Sequence, residues 1–174
     1  MEITPERKQE LEDIYQFYLH NEKILKMKEI SMHRGSNCYI HSFKVAKLSI
    51  KRALHHKKGN LEHILIGAIL HDYYLYDWRV EKEKKSKHPS KHPGIAVENA
   101  KKDFAIDKEI QSIIKSHMWP FNFKEFPSSK EARIVSLADK TIAFKETLTS
   151  KKYKEKREQK YLDDIHQLFN LKAT

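Results

Sequence analysis

The centre of the chain contains the segment Leu61-Glu62-His63-Ile64-Leu65-Ile66-Gly67-Ala68-Ile69-Leu70-His71-Asp72. This run is mostly apolar, and its length favours a buried α-helix over a strand. Leu61, Leu65 and Ala68 lie on one helical face, which continues to Asp72. His71 lies next to that face, about 100° round the helix. The segment therefore predicts a core helix that carries two ionisable side chains into the interior of the protein.

The rest of the chain has the same helical character. Glycine and proline are scarce, with four and five residues, and apolar positions recur mostly at helical spacing, so the sequence predicts an all-α fold. The expected N-terminal caps are Thr4, Asn60, Asp107 and the pair Ser128 and Glu131. The expected C-terminal cap is Gly59. The predicted helices cover about 5–20, part of the twenties, 37–57, 61–74, 93–103, 108–118, 129–149 and 153–171.

Length and composition limit the class of protein. The 174 residues, of which 39% are hydrophobic and 33% charged, predict one domain spanning 1–174. No apolar run is long enough to cross a bilayer, and the N-terminus lacks the apolar core of a signal peptide. The single cysteine, Cys38, excludes an internal disulfide and a cysteine-rich zinc site. We expect a cytoplasmic protein that does not bind membranes, and the sequence leaves its oligomeric state open.

The chain is strongly basic. Its formal net charge of +10 attracts anions in general, such as nucleotides, phosphorylated metabolites, nucleic acid or acidic lipid, and charge alone does not identify the partner. Many of the positive residues lie in two runs, 82–91 and 151–160, which are typical of solvated surfaces. The basic helix predicted at 153–171 makes nucleic acid an alternative partner. It is not favoured, because the basic residues lack a base-reading motif or interleaved aromatic side chains.

Ionisable residues occur on several stripes that the apolar pattern predicts to be buried. His41 shares a face with Val45 and Leu48, and three isoleucines lead to His117. Asp139 lies within the stripe that ends at Ile142. Burying an unpaired carboxylate is costly, and converging histidines cannot all be protonated together. A divalent metal bound by neutral imidazoles and carboxylates solves both problems, so the pattern indicates a metal site.

The order and context of these residues resemble a known signature. His41 in YIHSFKVA, His71-Asp72 in ILHD and Asp139 in LADK follow the H…HD…D pattern of the HD-domain superfamily. The resemblance covers a core of about 33–148. It implies a helical bundle of about six to eight helices and a metal-dependent phosphohydrolase that hydrolyses a phosphate mono- or diester of a nucleotide or other small metabolite.

Two further histidines make the chain most similar to small stand-alone bacterial HD proteins. His92 and His117 lie between the HD doublet and Asp139, as in binuclear HD enzymes. The resemblance implies that one ion is held by His41, His71, Asp72 and Asp139, and that Asp72 bridges to a second held by His92 and His117. It also assigns catalytic roles to Asp72, His92 and His117. Iron or manganese are the favoured metals, with magnesium, nickel and zinc as alternatives.

The sequence also departs from relatives with a known reaction. HD-GYP phosphodiesterases carry a lysine where this chain has Leu75, and the GYP triplet is absent, so hydrolysis of cyclic dinucleotides is not supported. Some HD proteins with similar ligands are diiron oxygenases, and an oxygenase, a nucleic-acid binder and a regulatory HD module remain alternatives. For the substrate we expect binding by His33, Arg34, Arg79 and Lys140.

Overall fold

The computed structural model describes residues 3–32, 36–76 and 88–148. In these ranges the chain is helical, apart from turns and one isolated antiparallel bridge between Ser31 and Asn37. The all-α prediction is confirmed, and the seven described α-helices agree with the expected six to eight. The helix predicted at 153–171 lies outside the described residues. The α-helices are α1 (Pro5–His20), α2 (Glu22–Leu25), α3 (Cys38–His55), α4 (Leu61–Leu70), α5 (His88–Phe104), α6 (Lys108–Ser116) and α7 (Lys130–Leu148).

The predicted N-terminal caps form at three helices. Thr4 accepts a hydrogen bond from the backbone N–H of Arg7 at the start of α1. Asn60 accepts from the first turn of α4, and Asp107 accepts from Ile110 at the start of α6. These short polar side chains replace hydrogen bonds that the first backbone N–H groups of a helix cannot make within it.

Two capping predictions are wrong. Helix α3 ends at His55, and the left-handed residue that closes it is Lys57, with φ of 52°, while Gly59, with φ of 88°, lies two residues further on. The N–H of Lys58 returns to the Ala53 carbonyl at 3.0 Å, which closes a Schellman turn without a glycine. At α7 it is Ser129, not Ser128, that accepts from the first turn, through Ala132 N–H.

Two helix boundaries differ from those predicted. Helix α4 ends at Leu70 rather than near Tyr74, and residues 71–74 form hydrogen-bonded turns. Helix α5 begins at His88, before the predicted start, so Pro93 lies inside it and not in its first turn. The turn after α4 is held from outside, because the Asn99 side-chain amide donates to the carbonyls of Tyr73 and Tyr74. Tertiary contacts therefore replace the last turn of the predicted helix.

The core is built around α4. This helix packs against α3 and α6, and α3 and α6 both contact α7. Gly67 allows the close approach of α4 to α6, because a Cβ at this position would lie 2.7 Å from Ile113 Cγ2. The C-terminal ends of α4 and α6, which carry His71 and His117, thus come together. Among the described helices, none has both the length and the apolar character required to span a membrane.

Candidate metal centre

The structure brings the six predicted ligands together from five parts of the chain. His41 lies on α3, His92 on α5 and Asp139 on α7, while His71-Asp72 and His117 follow the last residues of α4 and α6. None of the six exposes more than 8% of its surface. The prediction that these polar side chains converge in the interior therefore agrees with their positions in the fold.

One side of the cluster, which we call the first half-site, consists of His41, His71 and Asp139. Asp139 Oδ1 lies 3.1 Å from His41 Nε2 and 3.6 Å from His71 Nε2. The three side chains come from α7, α3 and the end of α4, so the half-site joins three helices that pack on one another. Its inward-facing atoms are two imidazole nitrogens and a carboxylate oxygen.

The other side, the second half-site, consists of His92 and His117. Their Nε2 atoms lie 3.0 Å apart. The edge of the Tyr74 ring packs against His92, with ring centroids 5.4 Å apart. Two imidazole nitrogens at this separation are held together by a proton or by a shared cation, because two bare lone pairs repel each other.

Asp72 lies between the two half-sites and contacts both. Its Oδ2 is 3.3 Å from His71 Nε2 and 4.0 Å from His41 Nε2. Its Oδ1 is 3.2 Å from His92 Nε2 and 3.5 Å from His117 Nε2. Each oxygen of one carboxylate thus faces a different pair of histidines.

Main-chain carbonyls fix the tautomers of two of the histidines. His71 Nδ1 lies 2.8 Å from the Ala68 carbonyl, and His117 Nδ1 lies 2.6 Å from the Ile114 carbonyl. A carbonyl only accepts, so both Nδ1 atoms carry hydrogen and donate, and each neutral ring has its lone pair at Nε2. His71 Nε2 is buried and has no hydrogen-bond partner among the described residues. It faces Asp72 Oδ2 at 3.3 Å, so a proton or a metal ion at this atom would be stabilised by the carboxylate.

The close contacts within the cluster shift the pKa values of its histidines. Burial lowers the pKa of His71, but Asp72 and Asp139 outweigh it and raise the pKa to about 10. Burial is likewise outweighed at His41, where Asp139 and Glu146 raise the pKa to about 9. At His117, burial and the neighbouring rings of His71 and His92 lower the pKa to about 4, although Asp72 opposes them. The first half-site therefore attracts positive charge far more strongly than His117 does.

The pKa values of the two carboxylates, Asp72 and Asp139, are lowered. Burial alone would raise the pKa of Asp72 and of Asp139, but the surrounding histidines hold both well below the usual range. Three overlapping groups offer ligand atoms that lie within 4.8 Å of one another: His41, His71 and Asp72; His71, His117 and Asp139; and Asp72, His92 and His117. Ionised carboxylates and neutral imidazoles are the ligand types that suit Zn, Fe, Ni and Mn, so the residues fit a divalent metal.

Comparison with known families gives a match to the model described as HD domain, over residues 38–143. The chain belongs to the HD domain family. Comparison with curated proteins and with solved structures gave no significant match. The family is helical and binds divalent metals, and the matched span contains all six predicted ligands. Family membership and the buried donor atoms thus point to the same chemistry.

Glu146, which lies beyond the span of the HD domain match, was not predicted as a site residue from the sequence. Its Oε2 accepts a hydrogen bond from His41 Nδ1 at 2.8 Å, and its Oε1 accepts from Lys44 at 3.0 Å and from Ser36 at 3.1 Å. Burial would raise the pKa of Glu146, but His41 and Lys44 lower it to about 2. A signal was present, because Asp139, Ile142 and Glu146 have the i, i+3, i+7 spacing of one helical face.

Of the four residues predicted to bind substrate, the structure describes one. Lys140 donates to the His117 carbonyl and, at 3.2 Å, to Asp139 Oδ2, and 27% of its side chain is exposed. It therefore lies at the edge of this HD centre and touches a member of each half-site. His33, Arg34 and Arg79 lie outside the described residues, so their predicted role stays a prediction.

Proposed function

We propose that the protein is a metal-dependent phosphohydrolase, which hydrolyses a phosphate mono- or diester of a small metabolite such as a nucleotide. The proposal depends above all on the position of Asp72, whose two oxygens face the His41–His71 pair and the His92–His117 pair respectively. That arrangement supports a centre of two ions, with iron or manganese favoured, in which Asp72 is the shared ligand. Membership of the HD domain family supports a metal-dependent hydrolase.

Bound divalent ions would lower the pKa of a coordinated water and polarise the phosphoryl oxygens. His41, His71, Asp72 and Asp139 would hold one ion, and Asp72, His92 and His117 the other. The Nδ1 contacts of His71 and His117 to main-chain carbonyls keep both rings in the tautomer that presents Nε2 to the centre. The burial of all six side chains reduces solvent screening and strengthens their electrostatic effect on the substrate.

The charge of the chain supports an anionic substrate. The formal net charge is +10, and Lys140 places an ammonium group beside Asp139 and the His117 carbonyl. A phosphate oxygen at the edge of the centre would be stabilised by this cation, since hydrogen bonds between charged groups are the stronger ones. If a single ion occupies the first half-site, His92 or His117 would be available as a catalytic acid or as a ligand of the substrate.

The experiment compares the wild-type protein with Asp72→Ala after incubation with Mn²⁺ or Fe²⁺. Metal is measured by mass spectrometry and hydrolysis with a panel of phosphate esters. We expect about two equivalents of metal in the wild type, and loss of both metal and hydrolysis in Asp72→Ala. The matched control is Asp103→Ala, which removes a carboxylate that pairs with Lys23 and Tyr73 outside the centre. This control should keep its metal and its activity.

The alternatives give different results in the same experiment. Full hydrolytic activity in Asp72→Ala would contradict the assigned centre. An iron-loaded wild type that consumes oxygen with an organic substrate and hydrolyses no phosphate ester would favour the oxygenase. An affinity for nucleic acid that falls steeply with salt and is unchanged in Asp72→Ala would favour a nucleic-acid-binding protein.

A further inference from the structure

We propose that Glu146 is a positioning residue for the metal centre and that it acts through His41. The inference rests on the proposed function only as far as the metal centre is concerned. Glu146 Oε2 lies 2.8 Å from His41 Nδ1, while the opposite ring atom, Nε2, faces Asp139 Oδ1 at 3.1 Å. The imidazole is thus held at both ends by carboxylates of the same helix, α7.

The hydrogen bond determines which nitrogen of His41 binds a metal. A carboxylate accepts and does not donate, so Nδ1 carries the hydrogen and Nε2 presents its lone pair to the centre. Partial transfer of negative charge from Glu146 makes Nε2 a stronger donor, as in other metal sites where a carboxylate lies behind a histidine ligand. Glu146 therefore sets both the orientation and the basicity of this ligand.

The surroundings of Glu146 keep its carboxylate ionised and fixed. It exposes only 4% of its surface, and its second oxygen accepts from Lys44 Nζ at 3.0 Å and from Ser36 Oγ at 3.1 Å. Lys44 lies one helical turn after His41 on α3, so ligand and counter-charge come from the same helix. A buried carboxylate with three donors has a single stable orientation.

His41 differs in this respect from two other predicted ligands. His71 and His117 donate through Nδ1 to the carbonyls of Ala68 and Ile114, three residues earlier in each case. A carbonyl carries no net charge, so it orients the ring but strengthens the Nε2 donor less than a carboxylate does. The effect of Glu146 should therefore be concentrated in the first half-site.

A purely structural role would have a different signature. Glu146 also links α7 to α3, and a residue with only that function would change the stability of the metal-free protein without a separate effect on metal affinity. Removing one partner of a buried charged pair is destabilising, so both Glu146 variants should also lower the melting temperature. Metal affinity and melting temperature are therefore measured separately, and the control variant shows how much affinity a loss of stability alone removes.

The experiment measures dissociation constants for Mn²⁺ alone, together with the melting temperature of the metal-free protein, for wild type, Glu146→Gln and Glu146→Leu. The matched control is Glu131→Gln, which changes a glutamate of the same helix that bonds Asn60 N–H at 2.9 Å, away from the centre. We expect the affinity of the first half-site for Mn²⁺ to fall by about tenfold to a hundredfold. The loss should be smaller for Gln, which keeps an acceptor, than for Leu, and absent in Glu131→Gln.

Wild-type Mn²⁺ affinity in both Glu146 variants would overturn the inference. The inference would also be overturned if Glu131→Gln lost as much Mn²⁺ affinity as the Glu146 variants at a similar drop in melting temperature. Asp72→Ala, titrated in parallel, separates the two proposals. If wild type binds Mn²⁺, Asp72→Ala does not, and both Glu146 variants match wild type, only the role of Glu146 is overturned. If the wild type itself binds no Mn²⁺, the metal centre and this inference are both overturned.

Discussion

The two half-sites share Asp72 but differ in charge and in support. The first adds the carboxylate of Asp139 to its histidines, and a second carboxylate, Glu146, lies directly behind His41. Among the described residues, the carboxylate that contacts His92 and His117 is the shared Asp72. One half is thus rich in negative charge, and the other is built mainly from imidazoles.

This difference predicts two ions of unequal affinity. A divalent cation in the first half-site would be neutralised by the carboxylates of Asp72 and Asp139 and bound by the oriented imidazole of His41, so we expect it to bind more tightly there. In the second half-site the ligands are mostly uncharged, and the ion should exchange more readily. If both ions bind, the shared Asp72 would contact one retained ion and one exchangeable ion.

The largest expected effect comes from removing one ligand from each half. His71→Ala should abolish tight metal binding, with a loss of affinity greater than the roughly tenfold to hundredfold typical of outer-shell changes. His92→Ala should keep about one equivalent of metal, since the first half-site stays complete. Both variants should lose hydrolysis. Metal analysis after extensive dialysis measures the difference.

Equal metal contents in the two variants would contradict the unequal half-sites. His63→Ala is a suitable control. His63 lies on α4, the helix that directly precedes His71, and it pairs with Asp107 outside the centre. This variant should retain the metal content of the wild type. A loss of metal there would point to a general effect on α4 and not to a ligand.

The dependence of metal affinity on pH should differ between the halves. The pKa of His41 is raised to about 9 and that of His71 to about 10, so in the metal-free protein both rings are protonated on both nitrogens at neutral pH, and a metal must displace the proton on Nε2. The affinity of the first ion should therefore rise by about tenfold per pH unit for each proton released, up to the pKa values.

At His117, burial and the nearby rings lower the pKa to about 4, so this ligand is already neutral over the same range. The second ion should consequently depend less on pH. Mn²⁺ titrations at several pH values between about 6 and 8 measure both slopes. A first ion whose affinity does not change with pH, or a second ion with the steeper slope, would contradict this assignment of charge.

The smallest expected effect is at Lys140, which touches both half-sites. Lys140→Met removes a cation that bonds Asp139 Oδ2 and the His117 carbonyl. We expect binding of inorganic phosphate to weaken by about tenfold, the size expected for one charge-assisted hydrogen bond. Metal content should hardly change. Lys145→Met, at an exposed position on the same helix, is the matched control and should bind phosphate like the wild type.

The sequence predicted the convergence of the ligands better than the helix ends. His117 and Asp139 could be recognised because each interrupts an apolar stripe, which is a strong local signal. The end of α4 could not be predicted in this way, because side chains distant in sequence hold the turn after it. Asn99 donates to the Tyr73 carbonyl, and Cys38 Sγ donates to the Asp72 carbonyl at 3.2 Å. Such long-range contacts do not change the hydrophobic periodicity of the segment whose structure they determine.

Glu146 was missed for a related reason. Its spacing from Asp139 and Ile142 places it on the buried face of α7, but glutamates are mostly exposed, so the residue type argued against burial. Its partners are His41, Lys44 and Ser36, which the packing of α3 and the segment before it against α7 brings to the carboxylate. Helical spacing can therefore indicate the face on which such a residue lies, but not the side chain through which it acts.

A Mn²⁺ titration followed by electron paramagnetic resonance tests whether two ions share Asp72. We expect the six-line signal of an isolated ion up to about one equivalent. Its replacement by a broad, magnetically coupled signal is expected at about two, since ions about 3.5–4 Å apart interact. Saturation at one equivalent, or two ions that remain uncoupled, would contradict the shared centre.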